Sequence, residues 1–238
     1  MRLIMAVSAI VALAAAACGG SSSSSSTSTP AAAPTTAASA VAAGTPSPSA
    51  CANAASGVST QPAPAGTQTG GRKTYTAAPP MTIDVNKTYC AIIEMDIGNI
   101  TLELFARDAP VTVNSFLFLA RDHFYDGVTF HRVIPGFVAQ AGDPTGTGSG
   151  GPGYTIKDEV NSHKFLDGTV GMAKTSAPNS GGSQFFIDYA PQPALDGGYT
   201  VFGQVVAGRD VLDKIAPRNP ASATTPGTKI NTIVIVEK

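Results

Sequence analysis

The chain has 238 residues, of which 43% are hydrophobic and 13% charged, and its formal net charge is −1 at pH 7. This near-neutral balance gives no electrostatic reason to expect a nucleic-acid partner or a strongly charged substrate. The charged residues are unevenly distributed along the chain, which divides it into parts.

The first predicted part is a secretory signal peptide over residues 1–17. Arg2 precedes a short apolar run that ends in Ala15-Ala16-Ala17, directly before Cys18. A positive start, an apolar run and small residues before a cut site are typical of such signals. The ending resembles the acylation motif of bacterial lipoproteins, so we expect a lipid on Cys18 and an extracytoplasmic protein anchored to the cell membrane. The alternative is an ordinary signal peptide with an incidental cysteine.

The second predicted part, residues 18–80, is a disordered linker. Residues 19–71 contain no Lys, Arg, Asp, Glu or His and are rich in Ser, Ala, Pro and Thr. Such a segment buries too little apolar surface to offset the entropy of ordering it. We interpret it as a tether between the membrane and the folded domain.

The third predicted part, residues 81–238, is a globular domain long enough for one core. Alternating apolar residues at 91–96 and 100–104, with a turn at Gly98 and Asn99, predict a β-hairpin. Further apolar runs predict strands within residues 128–134, 137–141, 169–173, 184–188, 200–206 and 230–236.

Two helices are predicted among these strands. Asp108 is expected to cap the first helix, and Pro110 lies in its first turn. The apolar stripe of this helix consists of Val113, Phe116, Leu117 and Ala120. The second helix is expected at residues 209–215. Many short strands with two isolated helices favour a mainly β fold, a closed antiparallel barrel with covered ends.

Specific strings carry a stronger signal than this periodicity. They are Phe130-His131-Arg132-Val133-Ile134-Pro135-Gly136-Phe137-Val138-Ala139-Gln140-Ala141-Gly142-Asp143, then Gly171-Met172-Ala173, Ser183-Gln184-Phe185-Phe186-Ile187, Leu195-Asp196-Gly197 and Val201-Phe202-Gly203. In this order they resemble the cyclophilin-type peptidyl-prolyl cis–trans isomerases. The resemblance implies an eight-stranded antiparallel β-barrel capped by two α-helices.

The resemblance also implies the roles of the site residues. Arg132, Phe137 and Gln140 would be catalytic, with Arg132 donating to the proline nitrogen as the amide bond twists. The residues expected to bind the proline-containing peptide are Val138, Phe186, Leu195 and Tyr199, together with the main chain of Ala173 and Lys174. Rotation about a bond needs no nucleophile or proton transfer, so no metal or cofactor is expected.

The chain departs from the best-known members of this family near the pocket. Ala194 stands where many carry Trp, and Tyr199 stands where they have His. The loop over residues 174–182 is one residue longer. Cyclosporin, the peptide inhibitor associated with the family, is therefore expected to bind weakly.

Cys51 and Cys90 remain as an even pair if Cys18 is acylated. Cys90 shares its strand face with Glu94 and Asp96, which points it away from the barrel interior. A disulfide between the two is possible in an oxidising compartment, and two free thiols are the alternative.

Three functions remain open at this point. The first is an isomerase that assists the folding of exported proteins. The second is a binding module or holdase for proline-containing segments at the cell envelope, and the third is an inactive scaffold.

Overall fold

The computed structural model describes residues 49–53, 67–69 and 72–238, so the predicted signal peptide and Cys18 lie outside the described residues. The strands are β1 (Thr67–Thr69), β2 (Arg72–Thr74), β3 (Tyr89–Met95), β4 (Gly98–Leu104), β5 (Arg132–Ile134), β6 (Val138–Ala141), β7 (Thr169–Met172), β8 (Phe185–Asp188), β9 (Val201–Ala207) and β10 (Thr232–Glu237). The helices are α1 (Pro110–Arg121) and α2 (Arg209–Leu212), and a 3-10 turn covers Pro193–Leu195.

Strands β3 to β10 form one antiparallel sheet in the order β10-β3-β4-β9-β7-β8-β6-β5. The sheet curls into an open half-barrel, so the expected closed barrel is wrong. The edge strand β5 has only 3 residues, and its Val133 exchanges backbone hydrogen bonds with Arg218 in the loop before β10. Because β5 is so short, a loop rather than another strand supplies the hydrogen-bond partners of its outer backbone groups.

The predicted hairpin is present, but its turn lies two residues earlier than expected. Met95 pairs with Gly98 across β3 and β4, so Asp96 and Ile97 form the turn. Gly98 has φ +125°, and a Cβ atom there would lie 2.9 Å from a Val211 methyl group of α2. Gly98 is therefore required for the close approach of α2 to the sheet.

Helix α1 packs its predicted apolar stripe into the main core, where all four residues are buried. The predicted cap is wrong, because the residue before the helix is Ala109 and Asp108 instead contacts His163 at 2.9 Å. The carboxylate of Glu159 accepts from the backbone N–H groups of Val111 at 3.1 Å and Thr112 at 2.8 Å. A residue far along the chain thus satisfies the N-terminus of the helix.

The folded unit begins before residue 81, within the segment assigned to the linker. Cys51 and Cys90 form a disulfide, and both residues are buried. The N–H of Tyr75 donates to the carbonyl of Pro152 at 2.8 Å, and its ring packs against Phe118. The composition of this segment did not indicate that it is ordered. The contacts that hold it come from residues of the folded domain, which lie elsewhere in the sequence.

Candidate active site

The candidate site is built across neighbouring strands at one end of the sheet. Arg132 of β5 pairs with Gln140 of β6, which pairs in turn with Phe186 of β8. Directly paired residues point to the same face of a sheet. The register therefore places a cation, an amide and an aromatic ring in one row.

A cavity of about 230 Å³ with both polar and apolar lining residues lies beside this row. Its lining residues are Arg132, Phe137, Val138, Gln140, Ala173, Lys174, Phe186, Leu195 and Tyr199. The structure thus brings together all nine residues that sequence analysis assigned to catalysis or peptide binding. Phe186 stacks on Phe165 at 5.6 Å between ring centroids, and Tyr199 meets Phe186 edge-on at 5.8 Å.

A chain of amide contacts orients Arg132. Its Nη1 donates to Gln140 Oε1 at 3.4 Å, and Gln140 Nε2 donates to Gln184 Oε1 at 2.9 Å. Gln184 Nε2 in turn donates to the carbonyls of Gly148 at 3.0 Å and Gly150 at 2.9 Å. Sequence analysis missed Gln184 as a site residue, although the residue is part of one of the quoted strings.

The guanidinium of Arg132 keeps donors available for a ligand. Its Cζ lies 5.4 Å from the centroid of the Phe137 ring, and Arg132 has no acidic ion-pair partner among the described residues. Arg is permanently charged and offers five N–H donors. The site therefore presents a cation with unused hydrogen-bonding capacity at the wall of the cavity, beside the aromatic rings of Phe137 and Phe186.

A second cavity of about 410 Å³ adjoins the first, and both are lined by Gln140, Ala173 and Lys174. Lys174 Nζ contacts Asp158 at 2.8 Å and lies 5.7 Å from the centroid of the Tyr199 ring. The two cavities form one groove, long enough for more than a single side chain.

The expectation for the main chain at the groove is only partly met. The N–H of Ala173 donates to the carbonyl of Gln184 at 2.9 Å, so this donor is already used within the protein. Pairing of a peptide with the remaining backbone groups of Ala173 and Lys174 stays a prediction.

His131, next to Arg132, does not point into the groove. It is 0% exposed and is absent from the residues that line either cavity. Burial lowers its pKa, which favours the neutral ring. His131 is thus a core residue.

Sequence analysis also missed Asp188, a buried carboxyl group on β8. It is 0% exposed and lies opposite Val138 in the β6–β8 ladder. Neither of its carboxyl oxygens has a hydrogen-bond partner among the described residues. Burial, with a smaller effect of the Asp167 carboxylate, raises the pKa of Asp188 from 3.8 to about 8.

We expect Asp188 to make the stability of the protein pH-dependent. The folded state keeps a proton that the unfolded state releases, so the unfolding free energy should fall as pH rises from the unfolded pKa of 3.8 to the folded pKa of about 8. The slope would be at most about 1.4 kcal/mol per pH unit. Denaturant unfolding of wild type and Asp188→Asn across this range measures it. Asp188→Asn should lack this fall in the unfolding free energy with rising pH. Parallel pH profiles of the two proteins would contradict the prediction.

Comparison with known proteins agrees with this fold and groove, which together define a protein of the cyclophilin class. The model of the family "Cyclophilin type peptidyl-prolyl cis-trans isomerase/CLD" matches residues 90–237. A solved structure of a cyclophilin type isomerase from Cryptosporidium parvum has a TM-score of 0.58 and 32% identity, covering 63% of this chain and 99% of that one.

Two curated relatives are also similar. A peptidyl-prolyl cis-trans isomerase from Synechococcus elongatus is 57% identical over 114 residues, covering 48% of this chain and 78% of the relative. Peptidyl-prolyl cis-trans isomerase B of Bacillus subtilis is 55% identical over 115 residues, covering 48% and 80%. The chain belongs to the cyclophilin-type isomerase family and is a peptidyl-prolyl cis-trans isomerase.

Proposed function

We propose that the chain catalyses rotation about Xaa-Pro bonds in exported proteins, with Arg132 stabilising the twisted amide. The observation that carries this proposal is the guanidinium of Arg132, which has no carboxylate partner among the described residues, beside a cavity of about 230 Å³ that Phe137, Phe186 and Leu195 also line. A cavity of this character suits a proline ring, and a similar isomerase from Cryptosporidium parvum was solved in the presence of the dipeptide Ala-Pro.

The proposed mechanism follows from how an amide bond changes as it rotates. Resonance makes the bond planar and raises the rotation barrier to about 18–20 kcal/mol. Twisting removes the resonance and returns a lone pair to the proline nitrogen. A donor aimed at that nitrogen then binds the twisted state more strongly than either planar state, which lowers the barrier. Arg132 is the donor, and Gln140 and Gln184 hold it in place.

The remaining residues of the groove bind the peptide. Phe137, Phe186 and Leu195 enclose the proline ring with apolar surface, and Val138 lies at the rim of the cavity. An extended peptide would continue into the second cavity past Ala173 and Lys174.

The isomerase proposal is tested against a non-catalytic binding module by separating turnover from affinity. A binding module needs only the apolar cavity and the main-chain contacts. An isomerase also needs the cation that acts on the twisted bond. Catalysed exchange and the dissociation constant, measured on one Xaa-Pro peptide in wild type and Arg132→Ala, distinguish the two functions.

The proposed location is the outer side of the cell membrane, through a lipid on Cys18. Its support is the apolar run and small residues before Cys18, together with the Cys51–Cys90 disulfide, since such bonds persist in oxidising compartments. Among the described residues, no helix has the length and apolar character needed to cross a bilayer.

Cys18→Ala should release the protein from membranes into the soluble or secreted fraction. The reason is that acyl chains on this cysteine are the proposed membrane anchor. Fractionation of cells expressing wild type or the variant, followed by immunoblotting, measures this. Equal amounts of both proteins in the membrane fraction would show that Cys18 is not the anchor.

Cyclosporin should inhibit this isomerase weakly, and Ala194→Trp should strengthen the inhibition. Ala194 is exposed in the 3-10 turn next to Leu195, which lines the proline cavity. An indole there would add a donor worth on the order of 1 kcal/mol and further apolar contact. Inhibition curves of the two proteins measure the difference, and equal inhibition constants would contradict the prediction.

A further inference from the structure

Residues 72–82 form a segment, here called the strap, that precedes the part of the chain matched by the family model, residues 90–237. The strap passes over α1 and reaches the outer side of the substrate groove. The strap therefore lies outside the part of the chain that the family model matches.

The strap is attached to α1 at both ends. The hydroxyl of Tyr75 donates to Asp122 Oδ2 at 2.6 Å at the C-terminal end of α1. Buried Asn114 of the same helix donates to the Pro80 carbonyl at 3.0 Å and accepts from the Thr82 N–H at 2.9 Å. Both the NH₂ group and the carbonyl oxygen of the buried Asn114 side chain are thus hydrogen-bonded to the strap, which fixes the position of the strap on the domain.

Tyr75 also connects the strap to the segment from Pro152 to Tyr154. Its N–H donates to the Pro152 carbonyl at 2.8 Å, and its ring lies 6.1 Å from the Tyr154 ring in an edge-on arrangement. Between these contacts, Gly153 has φ +93°, and a Cβ atom there would lie 2.6 Å from the Tyr75 carbonyl oxygen. The strap and this segment thus meet too closely for any side chain at Gly153.

The same segment is a wall of the second cavity. Pro152 and Tyr154 both line it, and Gly182 on the facing segment would bring a Cβ atom within 3.0 Å of Pro152 Cδ. Tyr154 is fixed further by a hydrogen bond of 2.9 Å between its hydroxyl and Ser115 of α1. A shift of Pro152 or Tyr154 would therefore change the width of the cavity.

We propose that Tyr75 is a positioning residue for this wall and that it sets the affinity for peptide residues beyond the Xaa-Pro unit. The proposal rests on the groove assigned to the substrate above. It predicts that loss of the Tyr75 ring weakens the binding of long peptides but not of short ones, because a short peptide fills only the cavity beside Arg132.

The test compares two peptides with the same Xaa-Pro centre, a short blocked one and a longer one that extends in both directions. Exchange kinetics and dissociation constants are measured for wild type, Tyr75→Ala and Tyr75→Phe in the full chain. Tyr75→Ala should raise the dissociation constant of the long peptide by about tenfold, while it changes kcat/KM for the short peptide by less than about twofold. Tyr75→Phe keeps the ring and the backbone donor, so it should bind the long peptide like wild type.

Two further variants separate positioning from general loss of stability. Asn114→Ala removes the other attachment of the strap without touching the wall, so it should lower the unfolding free energy and leave peptide selectivity unchanged. Gly153→Ala forces the wall and Tyr75 apart and should reproduce the selective loss, even if Tyr75→Ala does not fold. Equal loss on both peptides, or no loss on the long one, would overturn the proposal. Failure of wild type to bind either peptide would instead overturn the assignment of the groove.

Discussion

Arg132→Ala should reduce catalysed isomerisation by roughly ten- to a hundredfold while leaving peptide affinity largely unchanged. In the planar ground state the proline nitrogen has no free lone pair, so Arg132 gains little there. In the proposed mechanism, Arg132 donates a charge-assisted hydrogen bond to the twisted state, worth roughly 1.5–3 kcal/mol. Each 1.36 kcal/mol corresponds to about a tenfold change in rate.

Conservative and aromatic variants sharpen this test. Arg132→Lys should recover only part of the rate, because one ammonium group lacks the planar fork that reaches both Gln140 and the substrate nitrogen. Phe137→Ala should weaken binding as well as rate, because its ring lines the proline cavity. NMR exchange spectroscopy on one Xaa-Pro peptide gives both quantities.

Arg107→Ala is the matched control, since it removes the same charge from an exposed loop and should leave the rate unchanged. Wild-type activity in a folded Arg132→Ala protein would remove Arg132 from the mechanism. The groove would then be better described as a binding module for proline-containing segments.

Loss of the Cys51–Cys90 disulfide should lower the unfolding free energy by about 4 kcal/mol, if chain entropy in the unfolded state dominates. The bond closes a loop with a sequence separation of 39 residues. The double variant Cys51→Ser, Cys90→Ser is preferred to a single one, because it leaves no unpaired thiol. Denaturant unfolding of the variant and of wild type, with and without reductant, measures the effect.

Activity is expected to survive this change, because Cys90 lies on β3, and β4, β9 and β7 separate that strand from β8 of the groove. Cys18→Ala is the matched control for stability, since it removes the third cysteine and spares the pair. An identical unfolding midpoint for the double variant and oxidised wild type would contradict the prediction.

Local patterns in the sequence predicted most of the strands, and the resemblance to the cyclophilin family predicted the residues of the cavity beside Arg132. The alternating apolar residues predicted in β3 and β4 all lie in the main core, because successive side chains of a strand point to opposite faces of the sheet. The string around Arg132 and Phe137 covers both β5 and β6, which are neighbours in the chain and are joined by a short turn. One local string therefore contains several residues of the cavity. The predicted position of the turn between β3 and β4 was less accurate. Gly98 was assigned to this turn, but the structure requires a glycine there because α2 packs closely against it.

The sequence by itself thus determined the family and, through the resemblance, the residues that line the cavity beside Arg132. Only the tertiary structure decided that the sheet stays open at β5, that Glu159 satisfies the N-terminus of α1, and that Tyr75 supports the wall of the second cavity. These features are contacts between residues far apart in the chain. Periodicity reports which face of an element is buried, but it carries no information about which distant residue covers that face.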